Sequence, residues 1–193
     1  MNAPDYPAIL AAIRRDPRYR QSLDWGVPRP GHPEGSIRAH LAELERNLDR
    51  LRPRLTDGDA DRLRVLVHVH DTFKGTAAEG VRITDPRSHA SLARAFLAEF
   101  CDDADLLNMV HFHDEPYALW RQFRYGHHVD RERFDALLAA IRDWDLFLAF
   151  LIVDGSTEGK SREPLRWFLG EVEGRVPARF TAADILEGMR DEG

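Results

Sequence analysis

The chain has 193 residues, with 33 acidic against 27 basic side chains and a formal net charge of −6. That length buries a hydrophobic core unaided, and the single cysteine, Cys101, excludes an intrachain disulfide and a paired-cysteine zinc site. The acidic balance argues against general nucleic-acid binding, which needs a basic face, and leaves phosphorylated small molecules, nucleotides above all, open as substrates.

The opening MNAPDYPAIL lacks the features of a signal peptide, and the longest apolar run, Leu146–Val153, is too short to span a bilayer. A reducing cytoplasm is the expected compartment, with no membrane partner. Residues 1–33 hold six of the eleven prolines and read as an arm with one short helix near Ala8–Arg15. Five firm helices follow over Ser36–Leu51, Ala60–Lys74, Arg87–Phe100, Ala104–His113 and Arg131–Val153. Ser36 and Asp103 stand at N-cap positions, and Pro86 suits a helix start. Gly75–Asp85 reads as a mobile loop, and Tyr117–Arg124 as a shorter helix ended at Gly126. Glu163–Glu173 closes a main domain of residues 34–175. A tail over 176–193 carries a last helix, Ala182–Arg190, led by Thr181. Alternating strand patterns are nearly absent, so the fold class is all-α: a single-domain helical bundle of about seven to nine helices.

Several polar residues fall where leucines belong. His40 lies in phase with Ile37, Leu41 and Leu44; His70 and Asp71 continue the stripe Leu63, Leu66, Val67. His89 leads the stripe Leu92, Ala93, Phe96, and His113 follows Leu106, Met109 and Val110. Asp154 comes three residues after Leu151. A single core-facing histidine is usually a hydrogen-bonded core residue, and a single aspartate at a helix end is usually a cap. Four histidines and two aspartates directed inward from five helices satisfy one another best around a divalent cation, because an unpartnered buried carboxylate costs several kcal/mol. His68 and His111 fall off their stripes and read as solvent-facing or supporting residues. His127 and His128 lie in a loop, and His32 is remote from the stripe.

The order His40, His70-Asp71, Asp154 gives H…HD…D, with the pair set in VLVHVHDTFKG. This resembles the HD superfamily of metal-dependent phosphohydrolases over about Gly31–Phe168 and implies the helical bundle of the HD type. GHPEGSIRAHL is similar to the start of such domains and favours His40 over His32 as ligand. HDTFK resembles the HDxxK form, with Lys74 one turn beyond Asp71. SHASLARAF and MVHFHDE resemble the extra histidine motifs of dinuclear members. The resemblance implies two divalent ions per chain, one held by His40, His70, Asp71 and Asp154, the other by Asp71, His89 and His113. HFHDEP departs from the pattern, where a threonine is usual, and the GYP signature of cyclic-dinucleotide phosphodiesterases is missing.

Imidazole and carboxylate ligands favour Fe or Mn, with Mg, Co, Ni or Zn as further candidates. The implied function is hydrolysis of a phosphoester or phosphoanhydride, in a nucleotide or small phosphorylated substrate, by metal-activated hydroxide. Asp71 and Lys74 are the catalytic candidates; Lys74, Lys160 and Arg162 are the substrate-binding ones. Lys74 also suits a plain helix-end lysine. Trp120, Arg121 and Arg124 are candidates for a wall facing a base or sugar. Two alternatives stay open: a dinuclear-iron oxygenase of the same fold, and a non-catalytic nucleotide-sensing module.

Overall fold

Capping side chains set most of the helix starts. The computed structural model describes residues 4–187 and contains among them ten α-helices, nine of them nine residues or longer. They are α1 (Tyr6–Arg15), α2 (Pro17–Ser22), α3 (Ile37–Leu51), α4 (Asp57–Val69), α5 (His89–Leu97), α6 (Ala104–Phe112), α7 (Glu115–Gly126), α8 (Arg131–Ala140), α9 (Trp144–Gly155) and α10 (Glu163–Val172). Among the described residues there is no strand beyond an isolated bridge between Arg29 and His32. Asp5, Asp16, Ser36, Thr56, Ser88, Asp103, Asp130 and Asp143 each accept a backbone N–H in the first turn that follows. The starts of α7 and α10 lack such a bond and carry Pro116 and Pro164, whose missing N–H leaves no donor unsatisfied.

α9 is the central helix. Trp144 and every residue from Leu146 to Val153 are buried, and α3, α4 and α10 pack against it. A helix apolar all round belongs inside a bundle, and each of its large side chains contributes about 1.5–3 kcal/mol on burial. Asn47 on α3 donates from Nδ2 to the Val153 carbonyl at 2.9 Å, fixing the end of α9 that leads into the site. Among the described residues no helix is long and apolar enough to cross a membrane.

The structure differs from the sequence reading at four places. The predicted helix Arg131–Val153 is two helices, with Ile141 extended between them (φ −94°, ψ 131°). The N–H groups of Arg142 and Asp143 released by the break donate to the Asp105 carboxylate at 2.9 and 3.0 Å. Arg62 on α4 then bridges the caps Asp103 and Asp143 at 2.7 and 2.8 Å, and the Tyr6 hydroxyl donates to Asp103 at 2.7 Å.

The second difference is α4, predicted to run to Lys74, which stops at Val69; His70–Thr76 continue as turns, with the Thr72 hydroxyl donating to the His68 carbonyl. The N-terminal segment is the third: it forms α2 as well as α1 and buries Leu10, Ile13 and Tyr19 in the common core. At the C-terminus, the predicted helix Ala182–Arg190 is a one-turn 3-10 helix over Ala182–Asp184, followed by extended, buried Ile185. Residues 188–190 of that expectation lie outside the described residues.

Candidate metal centre

Helix ends deliver the in-phase polar residues to one place. His40 lies in the first turn of α3, His70 is the C-cap of α4 with Asp71 next, and His89 is the first residue of α5. His113 is the C-cap of α6, and Asp154 comes one residue before the end of α9. His40, His70, Asp71 and His113 are buried, whereas His89 and Asp154 are half-buried.

Two local devices orient the rings. The Nδ1 atoms of His70 and His113 lie 2.9 and 2.7 Å from the carbonyls of Val67 and Val110, each three residues earlier. With Nδ1–H donating there, both rings present the Nε2 lone pair to the centre. His40 is oriented by a carboxylate instead, with Nδ1 2.9 Å from Glu34 Oε1.

The donor atoms form two adjoining groups. His40, His70 and Asp154 each offer one atom to the first, and Asp71, His89 and His113 to the second, with the atoms of each group within 4.8 Å of one another. His40 Nε2 is 3.0 Å from Asp154 Oδ1, and His70 Nε2 is 3.3 Å from Asp71 Oδ2. On the other side His89 Nε2 and His113 Nε2 are 3.1 Å apart, and His113 Nε2 is 3.6 Å from Asp71 Oδ1. Asp71 thus turns one oxygen to each group. Ligand atoms bound at about 2.1 Å, with tetrahedral or octahedral angles, sit about 3.0–3.4 Å from one another, close to these spacings. His70 Nε2 and Asp71 Oδ1 are fully buried and have no hydrogen-bond partner. Orphaned buried atoms of this kind need an explanation, and a divalent ion fits both. These buried His/Asp clusters could hold metal ions.

The electrostatics follow from packing acids, bases and cations together. Burial opposes the charge on Asp71 and Asp154, but His70 and Lys74 around the first, and Lys160 and His40 around the second, hold both carboxyls well below the usual range. Burial lowers His70. His40 faces the same penalty, yet Asp154 and Glu34 outweigh it and push its ring up to about 9. Lys74 is likewise raised against its burial, by Asp71 and Asp114. Its Nζ lies 2.7 Å from Asp71 Oδ2, as Lys160 Nζ lies 2.8 Å from Asp154 Oδ1.

All six ligand candidates therefore converge, together with Lys74 and Lys160. Arg162 does not join them. Its guanidinium donates to the carbonyls of Gly155, Thr157 and Lys160 at 2.8–2.9 Å and to that of Ser156 at 2.8 Å, so it folds the segment carrying Lys160 instead of facing the centre.

Two further residues belong to the site. Glu34 holds both His40 and His32, the latter at 3.0 Å, and its carboxyl sits at about 2 because those histidines outweigh its burial. Asp114 lies 3.1 Å from His89 Nε2 and 3.6 Å from His113 Nε2. The second His-Asp pair, in HFHDEP, was the signal for Asp114; Glu34, in a proline- and glycine-rich turn, left none. His68 is not solvent-facing: it is buried against Tyr19, Glu45 and Arg14, away from the centre. His111 is half-buried and outside both groups, while His127 and His128 are exposed.

A cavity of about 490 Å³ opens over the centre, bounded by His70, Asp71, Lys74, Tyr117, Trp120 and Lys160. Lys74, Asp114 and Tyr117 also line a neighbouring cavity of about 440 Å³ that reaches His89 and Arg121. Compared with protein-family models, curated proteins and solved structures, the chain has no match.

Proposed function

We propose that this chain is an HD-type, metal-dependent phosphohydrolase that uses two divalent ions on a nucleotide or small phosphorylated substrate. The observation that carries the reading is Asp71, whose two oxygens lie toward different His/Asp groups, 3.3 Å from His70 on one side and 3.6 Å from His113 on the other. A carboxylate so placed suits a bridge between two ions, and the unpartnered Nε2 of His70 suits a ligand. Imidazole and carboxylate donors without thiolate favour Fe or Mn. Bound divalent ions polarise a phosphoryl oxygen and lower the pKa of water from 15.7 to about 7.

The protein's own groups prepare the rest. Lys74 and Lys160 put two cations on the wall of one cavity and neutralise charge on a phosphoryl group there. Asp71 and Asp114 favour the ammonium form of Lys74, which suits it to donate hydrogen bonds to a phosphoryl group. In hydrolysis the water oxygen forms the new bond to phosphorus, the bond to the leaving oxygen breaks, and the water proton ends on the leaving group.

Elemental analysis of gently purified protein, with phosphatase and oxygen-uptake assays, tests the reading. About two ions per chain are expected, about one in His89→Ala and almost none in Asp71→Ala, with phosphate release that needs no oxygen. Oxygen-dependent turnover would replace hydrolysis with the oxygenase chemistry. Failure to bind metal under any loading would leave only a non-catalytic sensing role.

A further inference from the structure

α7 carries a face on which aromatic rings and arginines alternate. Around the helix the order is Phe123, Trp120, Arg124, Tyr117, Arg121, Tyr125, an arc of about 200° that contains no acidic side chain. Tyr117, Phe123 and Tyr125 are 51, 45 and 70 % exposed, and they are three of the five exposed large hydrophobic residues among the described residues. Such concentration on one helix face differs from the scattered apolar exposure of ordinary surfaces.

The rings are already arranged in stacks. Tyr117 and Trp120 lie 5.6 Å apart at 26°, and Phe123 stacks on Trp167 of α10 at 5.4 Å and 19°. Arg166 adds a further cation beside them. Arg121 has no ion pair among the described residues. The carboxylates facing the other two arginines are Glu163, 3.7 Å from Arg124, and Glu187, 3.3 Å from Arg166, which are 61 and 80 % exposed. Ion pairs that open to water are weak and exchangeable.

The face is continuous with the metal centre. A groove of about 650 Å³ runs between α7 and α10 along Trp120, Phe123, Arg166 and Trp167, and it shares Trp120 and Ser161 with the cavity over the centre. Tyr117 separates that cavity from its neighbour, which ends at Arg121.

We propose that this face of α7, with α10, binds a short single-stranded oligonucleotide whose end enters the cavity over the metal centre. Aromatic rings stack on any base, and arginines between them answer the phosphates. From Tyr117 to Tyr125 the helix rises about 12 Å, the length of three or four bases stacked at about 3.4 Å. A second copy of the chain fits less well, because it would bring further arginines against Arg121, Arg124 and Arg166. Binding is confined to this arc of an otherwise acidic chain, consistent with the absence of a general basic face. Placement of the strand's end rests on the phosphohydrolase reading; binding to α7 does not.

Fluorescence anisotropy with a labelled oligothymidylate of about six nucleotides tests the proposal, using the full chain in EDTA so that binding is read without metal or turnover. Saturable binding is expected, weakened about tenfold by Tyr125→Ala. Arg166→Ala is expected to flatten the plot of log affinity against log salt by about 0.7. Neither variant alters turnover of a small aryl phosphate. Binding that persists when the wild type shows no turnover supports the track and removes the phosphohydrolase reading. Absent binding, or binding indifferent to both substitutions, overturns the track. So does a dimer in sedimentation that Tyr125→Ala dissolves, which would assign the face to a second copy.

Discussion

His70 and His113 reach the centre by the same local device: each follows a helix as its C-cap, and each ring has Nδ1 against the carbonyl three residues back. A helix C-terminus leaves carbonyls without intrahelical partners. A histidine placed there satisfies one of them and, in doing so, aims its other nitrogen outward along a defined direction. Each ring is therefore set by its own helix end, before any neighbour contributes.

His40 depends on a different residue, which makes Glu34 testable by itself. Glu34→Gln keeps the shape but removes the charge facing His40 and His32. On the proposed two-ion reading, affinity for an ion in the His40, His70, Asp154 group is expected to fall about 10- to 100-fold, as measured by competition with a chelator, while binding at the second group is unchanged. Equal loss from both groups would mean that Glu34 acts on the fold as a whole.

On the proposed phosphohydrolase reading, Lys74 acts on the reaction and not on the metals. Lys74→Met should lower kcat by about 10²- to 10³-fold, the range for one lost electrostatic donor, with metal content unchanged. A lysine that only pairs with Asp71 to hold the turn would leave kcat where it was.

Asp103 predicts a pH signature in stability. Its carboxyl is nearly buried, and Arg62 and Tyr6 outweigh that burial to hold it below the ordinary value. The stabilisation is therefore complete above the unfolded pKa of about 3.9 and is lost as pH falls through the folded value. Asp103→Asn, which preserves the cap, is expected to lose about 2–3 kcal/mol at pH 7 in urea unfolding. The gap to wild type should hold steady above about pH 4 and narrow as pH falls below it toward the folded value. A gap that stays constant over that range would exclude the ionised carboxylate as its source.

Gly75 is a steric prediction. A Cβ there would come within 2.5 Å of the Trp25 ring, which lies over the turn just after Lys74. Gly75→Ala is expected to displace the indole, cost about 1–3 kcal/mol and raise Trp25 fluorescence exposure to quenchers. Unchanged stability and quenching would show that the turn yields freely.

The helical fold and the six converging residues were legible because both are written in one periodicity. Each of His40, His70, Asp71, His89, His113 and Asp154 stands in register with the apolar residues of the helix that holds it or ends just before it, so its inward direction follows from spacing. What stayed hidden depends on residues distant in sequence. Between Arg131 and Val153 only Asp143, an N-cap residue, marks the break at Ile141, which is stable because Asp105, from another helix, takes up the freed N–H groups. Arg162 looked like a phosphate ligand by composition, yet four nearby carbonyls satisfy its guanidinium. Glu34 lies in an irregular turn, where periodicity carries no information.

The contact between His40 and Asp154 joins positions 114 residues apart. Closing so long a span carries an entropic cost that a local contact does not. A chain still emerging from the ribosome has no complete site until α9 is made and docked. Any ion then captured acts as a clasp across the bundle, adding about 2.7 kcal/mol when its free concentration is a hundred times its dissociation constant. An ion held by His40, His70 and Asp154 would in this way tie metal supply to the stability of the whole bundle.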